Sequence, residues 1–197
     1  MIHFLTPRNA RNTLLSVVIA AYSATAAATI PPVVDDFSDP HQNNLGLARQ
    51  YLNDSLAGGS TSTEQTIADG VLSVSGKIVP PRGQPGWASS VLLLDAGGQP
   101  QDASEYQGIR LLIKVIQGTV SVSANSTEID NFDYHAAPVM VKSDGQFHEF
   151  KVPFDRMKRA WSAPTPLNPA TINSLSIVAY GVQPGDFSFE LDEVSFY

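Results

Sequence analysis

The chain has no cysteine among its 197 residues, which excludes disulfides, thiol nucleophiles and cysteine-ligated zinc. Positive charge is scarce: twelve Lys and Arg face nineteen Asp and Glu, a formal net charge of −7. That balance argues against nucleic acid, whose phosphates reward a basic surface, and against anionic lipid headgroups. The apolar run at residues 14–21 is too short for a bilayer-spanning helix, which needs about 20 residues. Catalytic fingerprints are missing as well. There is no G-x-S-x-G elbow, no H-E-x-x-H, no G-x-G-x-x-G opening a helix and no Walker-type loop.

What is present begins with a leader. Arg8 and Arg11, the apolar run and the small residues Ala24-Thr-Ala-Ala-Ala28 make residues 1–28 read as a secretory signal peptide. The mature chain, 29–197, is expected to be a single domain with ten Lys and Arg against nineteen Asp and Glu. It is expected to be exported, periplasmic or secreted, with no membrane insertion after cleavage.

Hydrophobic alternation with a period of two dominates the rest. Leu72, Val74, Gly76 and Ile78 alternate with Ser73, Ser75 and Lys77, the mark of a half-buried strand. The same reasoning places strands at 33–37, 87–94, 109–116, 120–124, 132–141, 147–152, 175–180 and 187–196. Gln117-Gly118 suits a tight hairpin between two of them. Residues 38–69 read as polar loop, with 54–62 exposed, and 155–161 could form a turn or two of helix. Asn168 before Pro169 predicts a short helical turn over 169–174. Nine strands with few helical turns indicate an all-β, antiparallel β-sandwich. In the last strand the apolar parity changes across Asp192-Glu193, which predicts a β-bulge that re-aims one of these carboxylates.

Candidate functional residues are mostly aromatic and basic. Trp87, Tyr134 and Trp161 fall at strand edges or in loops, where exposed rings could stack on a sugar, with Arg110, Lys158 or Arg159 as polar contacts. Trp87 opens an apolar strand and reads first as a core residue, whereas Trp161 reads equally as a ligand-stacking ring or as a plug of the core. Asp133 and His135 are two apart and would share one strand face, as a ligand-contacting or acid/base pair or as a surface pair. Asp36 and Asp192 lie on the first and last strands and are candidate ligands for a structural calcium ion. The alternative for them is a solvated acidic edge. No other cofactor is expected.

Several segments together resemble the complex I intermediate-associated protein family. They are Val34-Asp-Asp-Phe37, Asn53-Asp-Ser-Leu-Ala-Gly-Gly-Ser-Thr-Ser62, Gly86-Trp-Ala-Ser-Ser90, Tyr106-Gln-Gly-Ile-Arg-Leu111, Phe150-Lys-Val-Pro-Phe154, Lys158-Arg-Ala-Trp-Ser162 and Leu191-Asp-Glu-Val-Ser-Phe-Tyr197. The resemblance implies a galactose-binding-like jelly-roll sandwich. It also implies a role as an assembly or chaperone-like factor for envelope or respiratory complexes, and it carries no catalytic residues over. Three functions are therefore expected in competition. The first is a non-enzymatic exported module that binds a glycan or other small ligand. The second is an assembly factor with a protein partner. The third is a cyclase or isomerase built around a deep cavity.

Overall fold

The computed structural model describes residues 30–197, and the expected leader at 1–28 lies outside the described residues. Among the described residues twelve strands are present: β1 (Val33–Asp35), β2 (Gln50–Asn53), β3 (Ser62–Ala68), β4 (Val71–Ile78), β5 (Gly86–Leu93), β6 (Gly108–Gln117), β7 (Thr119–Ser126), β8 (His135–Pro138), β9 (His148–Pro153), β10 (Lys158–Arg159), β11 (Ile172–Gly181) and β12 (Gly185–Phe196). They form two six-stranded antiparallel sheets. The first has the order β3-β4-β12-β6-β9, with β1 also pairing β12; the second has the order β10-β8-β7-β11-β5-β2. The helical content is short 3₁₀ turns, at Asp54–Ala57, Phe154–Arg156 and Pro169–Thr171.

The alternating residues build the core. Ile109, Leu111 and Ile113 of β6 and Phe187, Phe189 and Leu191 of β12 meet Val120, Val122, Leu175, Ile177 and Leu92 of the second sheet in one buried cluster. The bulge expected in β12 is present: its register against β6 shifts between Leu191 and Glu193. The extra residue restores inward pointing, so Val194 and Phe196 are buried like Leu191. Glu193 turns outward, where it pairs with Arg110 and accepts from the Ser195 hydroxyl.

Three local expectations are corrected. Gln117-Gly118 is not a hairpin turn, because β6 and β7 belong to different sheets. Gly118, at φ 86°, carries the chain between the sheets, and a Cβ there would sit 2.9 Å from Cβ of Phe187. Residues 38–69 contain two strands, β2 and β3, rather than loop alone. Both lie at sheet edges and are largely exposed, so neither carries an apolar alternation. Asp54 is fully buried rather than exposed.

One buried ion pair ties the start of the fold together. Arg49, just before β2, donates from Nε and Nη2 to both carboxylate oxygens of Asp35 on β1, at 2.6 and 2.7 Å. The side chains are 3% and 0% exposed, so the pair links the edge of one sheet to the other inside the protein. Asp35 also accepts from the backbone N–H of Phe37, which has φ 54°, and the Arg49 guanidinium lies 5.2 Å from the centre of the Phe37 ring. Removing one partner strands a buried charge. Asp35→Ala should therefore lose about 3–5 kcal/mol in urea denaturation, and the double substitution Asp35→Leu with Arg49→Met should lose clearly less.

Candidate functional site

The outer face of the second sheet forms the floor of an open groove of about 860 Å³. Pairing register explains its composition. Ala88, Ser90 and Leu92 of β5 turn into the core, which leaves Trp87, Ser89 and Val91 on the outside. In the same way β7 presents Ser121, Ser123 and Asn125, and β11 presents Ser176, Val178 and Tyr180. Cross-strand partners align these residues in rows. One row runs Lys158, Ala136, Ser123, Ser176 and Val91 across five adjacent strands. With about 4.8 Å between neighbours, the six strands give a floor about 24 Å across.

The floor is polar, as the solvent face of an antiparallel sheet packed on its other side commonly is. Asn125 donates from Nδ2 to the hydroxyls of Ser174 and Ser176, at 3.0 and 2.9 Å. Ser123 is 1% exposed, and its hydroxyl has no partner among the described residues. A buried hydroxyl without a partner is costly.

One wall is aromatic and is held by a single carboxylate. Asp133 accepts from Arg159 Nε at 2.8 Å and from the backbone N–H groups of Tyr134, Ala160 and Ser162 at 2.8, 2.9 and 3.0 Å. Burial alone would raise its pKa. The hydrogen bonds from Ser162, Tyr134 and Arg159 outweigh burial and hold the carboxyl well below the usual carboxylate range. The network brings Trp161 edge-on to Tyr134, with ring centroids 5.4 Å apart. Burial, then the charge of Asp133 and the nearby Tyr180, push the Tyr134 phenol upward, so it is a neutral hydroxyl at physiological pH. At the other end of the groove, Trp87 is positioned by a second carboxylate. Asp54 accepts from the backbone N–H of Trp87 at 3.1 Å and from the hydroxyl and backbone N–H of Thr61 at 2.7 and 3.0 Å. Gly59 lets the loop close over Asp54, where a Cβ would come within 2.2 Å of its carboxylate.

The sequence candidates therefore divide. Trp87, Tyr134, Lys158, Arg159 and Trp161 line the groove. Trp161 is 60% exposed, and Trp87 and Tyr134 are half-buried, so Trp87 is not the core residue that its apolar strand suggests. Arg159 is 9% exposed and is engaged by Asp133, Thr165 and Asn131, whereas Lys158 is exposed and donates only to the Asp155 carbonyl. Arg110 lies on the first sheet, in ion pairs with Glu149 and Glu193. His135 is buried away from the groove, with Nε2 donating to the Thr165 carbonyl. Asp133 precedes β8 instead of lying on it, so the expected Asp133–His135 strand-face pair does not form. Asp36 accepts from the Ser38 N–H and hydroxyl, and among the described residues no three His, Cys, Asp or Glu side chains converge as a metal site. Sequence reasoning missed Phe132, Tyr180 and the serine rows. Their signal, a run of Ser at outward parity in β5, β7 and β11, is visible only once the partner strands are known.

The depressed pKa of Asp133 sets a pH dependence. Its contribution is present above the unfolded value near 3.9 and is lost as pH falls through the lower folded value. Asp133→Ala should cost about 3–5 kcal/mol at pH 7, as for other broken buried ion pairs. In urea denaturation, the gap between wild type and variant should shrink as pH falls below about 4.

The chain is similar to the family 11 carbohydrate-binding module from Clostridium thermocellum, solved with a β-1,3-1,4-mixed-linked tetrasaccharide. Identity is 17% over 84% of this chain and 94% of the module, with a TM-score of 0.56. It is also similar to part of an agarase, at 11% identity over 83% of this chain and 24% of the agarase, TM-score 0.54. At such identities the likeness is one of fold, a jelly-roll sandwich of the galactose-binding-like type. No curated protein sequence matches the chain. The family described as Complex I intermediate-associated protein 30 (CIA30) matches residues 36–191, and the chain belongs to that family.

Proposed function

We propose that this protein is a non-catalytic glycan-binding module that holds a polysaccharide across the outer face of its second sheet. The observation that carries the reading is the groove itself: a hydroxyl-rich floor of Ser89, Ser121, Ser123 and Ser176 between aromatic ends at Trp87 and at Tyr134 with Trp161. Aromatic faces pack on the apolar faces of pyranose rings, while serine and asparagine groups exchange hydrogen bonds with sugar hydroxyls. The groove is open and long enough for several rings. Similarity of fold to carbohydrate-binding modules supports the reading. Asp133 and His135, the groups an acid/base mechanism would draw on, are both buried and committed to the scaffold. Export, as the leader at 1–28 suggests, would place the groove where polysaccharides occur.

Membership of the family favours a second reading, docking of a protein partner. Phe132, 93% exposed at the groove rim, and Met140, 79% exposed, would suit it. The two readings differ in what the groove binds.

Affinity electrophoresis and calorimetry of residues 29–197 against soluble polysaccharides, including mixed-linked β-glucan and agar-derived chains, separate them. Glycan binding is expected, with Trp161→Ala and Tyr134→Ala each weakening it about tenfold or more, equivalent to about 1.4 kcal/mol. Arg110→Ala, on the other sheet, should bind as wild type. Absence of binding to every glycan would leave the protein-docking reading.

A further inference from the structure

We infer that the groove selects an anionic polysaccharide, one carrying carboxylate or sulfate groups along its chain, with an acidic group seated against Lys158. This rests on the glycan reading above and narrows it. The observation is the distribution of charge. The chain carries nineteen Asp and Glu, yet not one of them lines the groove. Among the described residues, the only ionic side chains there are Lys158 and Arg159. They are not equivalent. Arg159 is neutralised by Asp133 at 2.8 Å and is almost wholly covered. Lys158 has no carboxylate within ion-pair distance among the described residues, and its Nζ donates to the Asp155 carbonyl at 3.1 Å. A lysine ammonium is a compact, strongly hydrated charge with three donors, and two of them remain for a ligand.

Its placement strengthens the case. Lys158 stands at the end of the cross-strand row that contains Ser123 and Ser176. The unpartnered, buried Ser123 hydroxyl lies two strands from it in that row. A polysaccharide lying along this row would seat the acidic group of one sugar against the ammonium and place the following sugars over Ser123 and Ser176. A neutral glucan would leave the charge unused. Acidic side chains more than a Debye length of about 8 Å away are screened at physiological salt, and Asp155, whose carbonyl Lys158 meets, turns its carboxylate toward Arg156 at 4.0 Å.

The test uses matched pairs in 150 mM NaCl: polygalacturonate against its methyl ester, and a sulfated galactan against its desulfated form. Each pair keeps the backbone and removes the charge, and the two pairs distinguish carboxylate from sulfate. At least one charged member is expected to bind about tenfold or more tightly than its neutral counterpart, and 500 mM NaCl should narrow the difference. Lys158→Gln should reduce the charged-to-neutral ratio to within about twofold, Lys158→Arg should retain it, and Lys77→Gln, on the first sheet, should leave it unchanged. Near-UV circular dichroism and the melting temperature verify that each variant is folded. Equal binding of both members of both pairs, or a preference for the neutral ones, overturns the anionic selectivity while the glycan reading stands. A preference that survives in folded Lys158→Gln overturns the assignment to Lys158. Failure to bind any glycan overturns the underlying reading as well.

Discussion

The aromatic wall of the groove depends on one buried carboxylate. Asp133 gathers donors from two separate stretches of chain, the approach to β8 and the turn after β10. β10 is only two residues long and sits at the sheet edge, so its ladder hydrogen bonds alone would hold that turn weakly. The carboxylate supplies what the strand does not. By accepting four hydrogen bonds it fixes the backbone on both sides, and Trp161 and Tyr134 come into edge-to-face contact as a consequence. His135, which anchors the Thr165 carbonyl, fastens the next part of the same loop.

The same device recurs where loops meet the sheets. Asp54 holds Thr61 and Trp87, and Asp35 holds Arg49 and Phe37. In each case a buried carboxylate takes several donors, so its desolvation is offset by hydrogen bonds and not by one ion pair alone. Three acidic residues that a composition count assigns to the surface are thus structural. Two of them, Asp54 and Asp133, position the aromatic ends of the face where the ligand is proposed to bind.

Much of the sandwich was legible from alternation alone. β4, β6, β7, β11 and β12 each bury one face, and a half-buried strand writes its period into the sequence. The β12 bulge was legible for the same reason, since Leu191 and Val194 both had to point inward. β2 and β3 were not, because as largely exposed edge strands they each set only one large apolar side chain, Tyr51 and Ile67, against the core, and β10 is too short to show a period. The aromatic candidates of the groove were recognisable as residue types. Trp87 still read as core, because its apolar strand gives no sign of which face the second sheet leaves open.

By itself, the sequence determined the class and the inner surfaces of this protein: a cysteine-free, acidic, all-β sandwich whose core residues follow a period of two. Burial is a local demand, repeated at every second position, so it leaves a local record. Only the tertiary structure decided that Lys158, Ser123, Ser176 and Val91 share one row, that Arg110 lies on the opposite sheet, and that Asp133 serves Arg159 instead of His135. Those outcomes depend on which strands pair and in what register. Strand pairing joins residues tens of positions apart; the local period says which face a residue takes, but not which strand lies beside it.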